Sequence, residues 1–174
     1  ADVAQIVQLS AAAGVAVVPR GGGASYTDGY APAESESILI DTSRMNRILE
    51  LNERDGYVVV EVGVTWATLN ETLAAKGLRT PFFGPFSGLA ATVGGSLSQN
   101  SVTWGTGVFG VSGETTLCVE VVLGDGRITD MHIAEGLKAT TWPARMQRLG
   151  PGALWSLVPA DAELWLDGGH NPSA

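Results

Sequence analysis

One stretch of this 174-residue chain is built for chemistry: Arg20-Gly21-Gly22-Gly23-Ala24-Ser25, directly after Val17-Val18-Pro19. Consecutive residues without side chains let backbone amides converge on one point, and such a nest binds phosphate oxygens. Arg20 adds a fixed planar charge and Ser25 a hydroxyl donor. A tight strand-to-loop crossing with no ligand would use the same glycines. The nicotinamide-dinucleotide pattern fits poorly, because Tyr26-Thr27-Asp28-Gly29 continues the loop where a long helix should open. A nucleotide-triphosphate loop is excluded, since no Gly-Lys-Ser or Gly-Lys-Thr occurs. A second stretch, Pro81 to Gly113, is rich in glycine and small hydroxyls, poor in charge and almost without periodicity. A loop of that length inside a compact domain is normally functional.

The elements around these loops are mixed. Asp2 can cap a helix carrying Val3, Ile6 and Val7, with Gly14 just past its end. Val15–Val18 reads as a short buried strand, Ile38–Ile40 as a second, and Tyr57–Val62 as a third behind the Asp55-Gly56 turn. Thr65 can cap a helix reaching Lys76, with Ala67, Leu69, Leu73 and Ala74 as its apolar stripe and Gly77 as its stop. Leu117–Leu123 and Arg127–Ile133 form a hairpin around Gly124-Asp125-Gly126. Interleaved strands and helices point to α+β or α/β, not to a bundle or sandwich.

Composition bounds the partners. Ten basic against 18 acidic residues leave a net charge of −8, which argues against nucleic acid and against an anionic membrane surface. No apolar run approaches the roughly 18 residues of a membrane span. One cysteine excludes an internal disulfide and a cysteine zinc cage, and no metal site is expected. The chain opens on Ala1 without an apolar leader, so an internal stretch of a longer protein is expected, with the cytoplasm as default compartment.

Five motifs in order carry a resemblance: P-R-G-G-G-A-S, I-L-I-D-T-S-R-M-N-R-I, V-V-V-E-V-G-V-T-W-A-T-L-N, P-F-S-G-L-A-A-T-V-G-G-S-L-S-Q-N and C-V-E-V-V-L-G-D-G. From about Val15 to Arg127 the chain resembles the FAD-binding domain of the vanillyl-alcohol oxidase and p-cresol methylhydroxylase family. That implies a truncated α+β fold of the p-cresol methylhydroxylase type, with two subdomains around a flavin. By the resemblance, Arg20, Gly21, Gly22, Gly23, Ala24 and Ser25 grip the FAD pyrophosphate. Pro85, Ser87 and Gly88, with Thr92, Val93, Gly94 and Gly95, form the second loop beside the cofactor. Ser98 and Asn100 lie near the flavin. Ordinary turn-making is the plainer role for Thr92, Ser98 and Asn100.

Departures also matter. Many members attach FAD through a histidine after the glycines, where this chain has Ala24; others use a cysteine where it has Phe86 and Ser87. The resemblance therefore implies non-covalent FAD. Cys118, in an apolar strand, is expected to be a small core residue. The parent would be an oxidoreductase acting on a small organic substrate such as a 2-hydroxy acid or alcohol. No catalytic base is assignable in residues 1–133.

Residues after 133 read differently. W-P-A-R at Trp142 to Arg145 and L-D-G-G-H-N-P at Leu166 to Pro172 resemble the folylpolyglutamate synthases. By that resemblance Arg145 would reach a nucleotide phosphate, and Asp167 and His170 would line a ligase site. The phosphate loop and metal ligands such a ligase needs are missing, so the expectation is a flavin domain over 1–133 followed by a ligase-like tail over 134–174. His132 is expected to be structural. An ATP-dependent ligase relic and a non-catalytic folded module stand as alternatives. The truncation would leave Val119, Val121 and Ile128 seeking cover, so residues 150–166 are expected to pack on the first 133, or else the chain self-associates.

Overall fold

The computed structural model describes residues 2–81, 84, 87–131, 147–148, 159 and 163–166. Helix α1 (Asp2–Ala13) ends at Gly14, whose φ of +67° supplies the left-handed turn. Strand β1 (Ala16–Arg20) pairs in parallel with β2 (Ser37–Asp41), Val18 opposite Leu39 and Arg20 opposite Asp41. A parallel pair needs a crossover, and here the glycine loop lies inside it. Strand β1 is half-buried to exposed, not buried as its apolar run suggested, because among the described residues its sheet has only two strands.

Strands β3 (Ile48–Asn52) and β4 (Tyr57–Val60) form an antiparallel hairpin around Gly56, at φ +70°. The first arm was not anticipated. Arg47 and Glu61 close the open end: the Arg47 amide donates to Glu61 Oε2 at 2.7 Å, and its guanidinium to Oε1 at 3.0 and 2.7 Å. These hydrogen bonds hold the Glu61 carboxyl below its usual value of 4.5. A depressed carboxylate contributes its full stability above the ordinary glutamate range and loses it as pH falls through the lowered value. Glu61→Gln should therefore flatten the fall of melting temperature below about pH 4.5. Acid melting series on both proteins check this, and parallel curves would count against the pair.

Helix α2 (Trp66–Ala74) is capped by Thr65, whose Oγ1 accepts the Thr68 amide at 3.2 Å. Its buried face is Trp66, Leu69 and Leu73; of the expected stripe Leu69 and Leu73 are buried, Ala67 is half-buried and Ala74 faces water. With Val64 these residues make the core, against Ile48, Leu51, Val58, Val60, Leu78, Ala91 and Val93. The expected structureless stretch contains α3 (Val93–Ser98), α4 (Thr106–Phe109) and a 3-10 turn at Ser112–Thr115. Their glycine content hid them, since glycine lowers helical propensity and they are held by tertiary contacts.

Strands β5 (Val119–Val122) and β6 (Ile128–Met131) form the predicted hairpin, closed by the Gly126 amide on the Leu123 carbonyl at 2.8 Å. Its turn rests on α1, where a Cβ on Gly126 would meet Gln8 Cβ at 2.7 Å. Val119 and Val121 are half-buried. Cys118 is exposed, not a core residue, because β5 begins only after it and Leu117 beside it also faces water. Strands β7 (Gln147–Arg148) and β8 (Trp165–Leu166) pair antiparallel. The expected packing of residues 150–166 otherwise lies outside the described residues, as do Pro85, Phe86, His132, Trp142, Arg145, Asp167 and His170. Among the described residues no helix is long and apolar enough to cross a membrane.

Candidate functional site

The site is a seam between the two glycine segments. Strand β1 delivers Arg20 to the loop mouth, and its carbonyl is fixed by the Thr42 amide at 2.9 Å and hydroxyl at 3.1 Å. The following glycines run against the second segment. A Cβ on Gly21 would meet Thr92 Oγ1 at 2.6 Å, and one on Gly22 would collide with the Ala90 carbonyl oxygen. No larger residue fits at Gly22 without parting the two backbones. Gly23 takes φ +64°.

The second segment is tied to the core. Ser87 accepts the Ala90 and Ala91 amides at 2.8 and 2.7 Å, making a tight turn. Gly88 and Ala91 carbonyls receive the Ala67 and Trp66 amides at the start of α2. The Val93 and Gly94 amides then donate to Val64 and Val62 carbonyls, both at 2.9 Å. A Cβ on Gly94 would meet Val62 Cβ at 2.7 Å, so this glycine is a packing requirement. Thr92 is buried and caps α3, its Oγ1 accepting the Gly95 amide at 3.2 Å. Below it, Trp66 Nε1 donates to Ser96 Oγ at 2.7 Å inside the core.

The remaining nominated residues are placed as follows. Ser25 Oγ makes a local turn with Thr27, 2.8 Å from its hydroxyl and 3.2 Å from its amide. Ser98 is exposed and donates to the Gly95 carbonyl at 3.0 Å. Asn100 is buried at φ +44°, and its Oδ1 accepts the Gly113 amide at 3.2 Å. Arg20 bonds Asp41 Oδ2 at 2.9 Å and lies 5.8 Å from the Tyr30 ring centroid. Asp41, Thr42, Tyr30 and Ala90 are thus part of the loop's support, and the sequence reading did not nominate them. Asp41 could have been found: it ends the strand that pairs with β1.

Two observations bear on what the seam can hold. Gly22, Gly23, Ala24 and Ser25 are half-buried, and among the described residues their backbone amides donate to no protein acceptor. Half-buried amides of this kind can be met by water, and they are also free to donate to an outside acceptor. Away from the seam contacts given above, Thr103 Oγ1 is buried without a hydrogen-bond partner among the described residues. A run of backbone donors with little side-chain bulk suits the oxygens of a diphosphate. No cluster of His, Cys, Asp and Glu that could hold a metal ion occurs among the described residues.

Several known proteins resemble this chain. D-2-hydroxyglutarate dehydrogenase of Escherichia coli is 38% identical over 136 residues, 75% of this chain and 13% of that protein. Glycolate oxidase subunit GlcD of Bacillus subtilis is 31% identical over 127 residues, 73% of this chain and 27% of that protein. Among solved structures, an alkyldihydroxyacetonephosphate synthase matches with a TM-score of 0.66 at 25% identity, over 75% of this chain and 26% of that one. The 4-ethylphenol oxidase of Gulosibacter chungangensis matches with a TM-score of 0.58 at 26% identity, over 90% and 29% of the two chains. The chain thus spans between 13% and 27% of these curated relatives. The sequence profile of the FAD binding domain matches residues 1–132, and the chain belongs to that family, with its α+β fold.

Proposed function

We propose that this chain is the flavin-holding part of an oxidoreductase that acts on a small 2-hydroxy acid or alcohol, with FAD bound non-covalently. The observation that carries this is the run of amides from Gly22 to Ser25 without protein acceptors among the described residues, set against the second glycine segment. Those amides would take the pyrophosphate oxygens, and the absence of bulk at Gly21 and Gly22 lets the two segments close on one another. The second segment, from Ser87 and Gly88 through Thr92, Val93, Gly94 and Gly95 to Ser98, would run along the cofactor. Asn100 would act by holding the Gly113 turn in place.

FAD supplies the two-electron acceptor chemistry, and the protein supplies placement and electrostatics. Ala24 offers only a methyl group and Ser87 only a hydroxyl where relatives of the resembled family attach the flavin. Neither provides the nucleophilic nitrogen or sulfur of such a link. Support for the substrate class comes from the relatives, a 2-hydroxyglutarate dehydrogenase and a glycolate oxidase subunit. They are not ligases, and an ATP-dependent activity of the tail gains no support from them. The flavin part would occupy residues 1–133, with residues 134–174 as an appendage.

The test is reconstitution. Chain mixed with excess FAD and passed through gel filtration should elute yellow with about one flavin per chain. Acid precipitation should leave the flavin in the supernatant. A colourless eluate would sink the proposal, and flavin retained in the acid pellet would sink its non-covalent part.

A further inference from the structure

Arg20 is confined from three sides. Asp41 Oδ2 lies 2.9 Å from Nη1, the Tyr30 ring centroid lies 5.8 Å from Cζ, and a Cβ on Gly23 would come within 2.7 Å of Nη2. Asp41 is itself fixed: it ends β2 in register with Arg20, and its Oδ1 accepts the Ser43 amide at 2.8 Å. Hydrogen bonds from Ser43, and then Arg20, hold its carboxyl below the usual carboxylate range, so it is ionised at neutral pH. The guanidinium is therefore wedged between the sheet end and the Gly23 backbone.

We propose that Asp41 is a positioning residue for the cofactor: it seats Arg20 beneath Gly23, so that the amides of Gly22 to Ser25 keep one arrangement for a diphosphate. This rests on the FAD reading above, and two effects compete over the sign. By charge alone, a carboxylate near a diphosphate repels it, and removing Asp41 should tighten binding. By positioning, removing Asp41 frees a long side chain to regain its rotamers and unseats the turn above it. The Arg20 and Asp41 side chains are 36% and 43% exposed, so water and salt screen the repulsion, and loss of position dominates.

The test is Asp41→Asn in the full chain, titrated with FAD by calorimetry at low salt. The FAD dissociation constant should rise about tenfold. The melting temperature without FAD should stay within about 2 °C, since an exposed pair contributes little to stability. In isotope-edited NMR without FAD, the Arg20 Nε–H signal should be distinct in the parent chain and merge with the mobile arginines in Asp41→Asn. An unchanged or lower dissociation constant overturns the proposal. If the parent chain takes up no FAD, the cofactor reading fails by itself, and the Arg20 signal still decides: one unchanged by the substitution shows that Asp41 seats nothing.

Discussion

Gly22→Ala should remove about 2–3 kcal/mol of stability and nearly all FAD affinity, the larger of the expected effects on binding. The added methyl group points at the Ala90 carbonyl oxygen, which is backbone and cannot rotate away. Ala90 belongs to the turn anchored on Ser87, and that turn is bonded to the first turn of α2. Relief must therefore come from the first glycine loop, whose amides would be displaced. At this chain length the stability loss corresponds to a drop in melting temperature of about 5–10 °C. Gly107→Ala is the control: no atom lies within 4 Å of its added Cβ and its φ is not positive. There the change should be neutral or slightly stabilising, by up to about 1 kcal/mol through the unfolded chain. Equal melting curves for the two variants would show that the seam is looser than its geometry implies.

Trp66→Ala should have the largest effect on folding, about 3–5 kcal/mol by denaturant titration. Trp66 is the only aromatic residue of the buried core among the described residues, and it supports both the Gly84 backbone and Ser96 of α3. Trp66→Phe separates packing from polarity. It keeps most of the ring but leaves Ser96 Oγ without its indole donor, a cost of about 1–3 kcal/mol. Adding Ser96→Ala should recover part of that cost, because both polar partners are then gone. If Ser96→Ala and Trp66→Phe simply add, the buried hydrogen bond contributes nothing specific.

Much of this architecture was legible because local signals agreed with tertiary ones. Thr65 and Gly77 bracket α2 through their own backbone chemistry, a side-chain cap at one end and φ +69° at the other. Gly124-Asp125-Gly126 fixes the β5–β6 hairpin for the same reason. Failures came where packing outweighs propensity. Strand β3 holds two exposed positions, Leu49 and Glu50, in a row, so its alternation is broken by the irregular register between Ile48 and Glu50. The Asp55-Gly56 turn was the one local signal from which this unanticipated first arm could have been inferred. Cys118 looked interior because apolar letters surround it, yet strand pairing starts one residue later. Helices α3 and α4 are too short and glycine-rich to announce themselves. At the site, glycine spacing revealed the loops, but not that Gly21 and Gly22 press on Thr92 and Ala90. That contact joins residues some 70 positions apart, and only the fold supplies it.

The most direct measurement of the central claim is the melting temperature of the full chain with and without saturating FAD. A ligand at about 100 times its dissociation constant stabilises by about 2.7 kcal/mol. The parent chain should therefore melt about 5–10 °C higher with FAD, while Gly22→Ala should gain almost nothing. A parent chain indifferent to FAD, or a Gly22→Ala variant that gains as much as the parent, would contradict the assignment of the paired glycine segments as the flavin site.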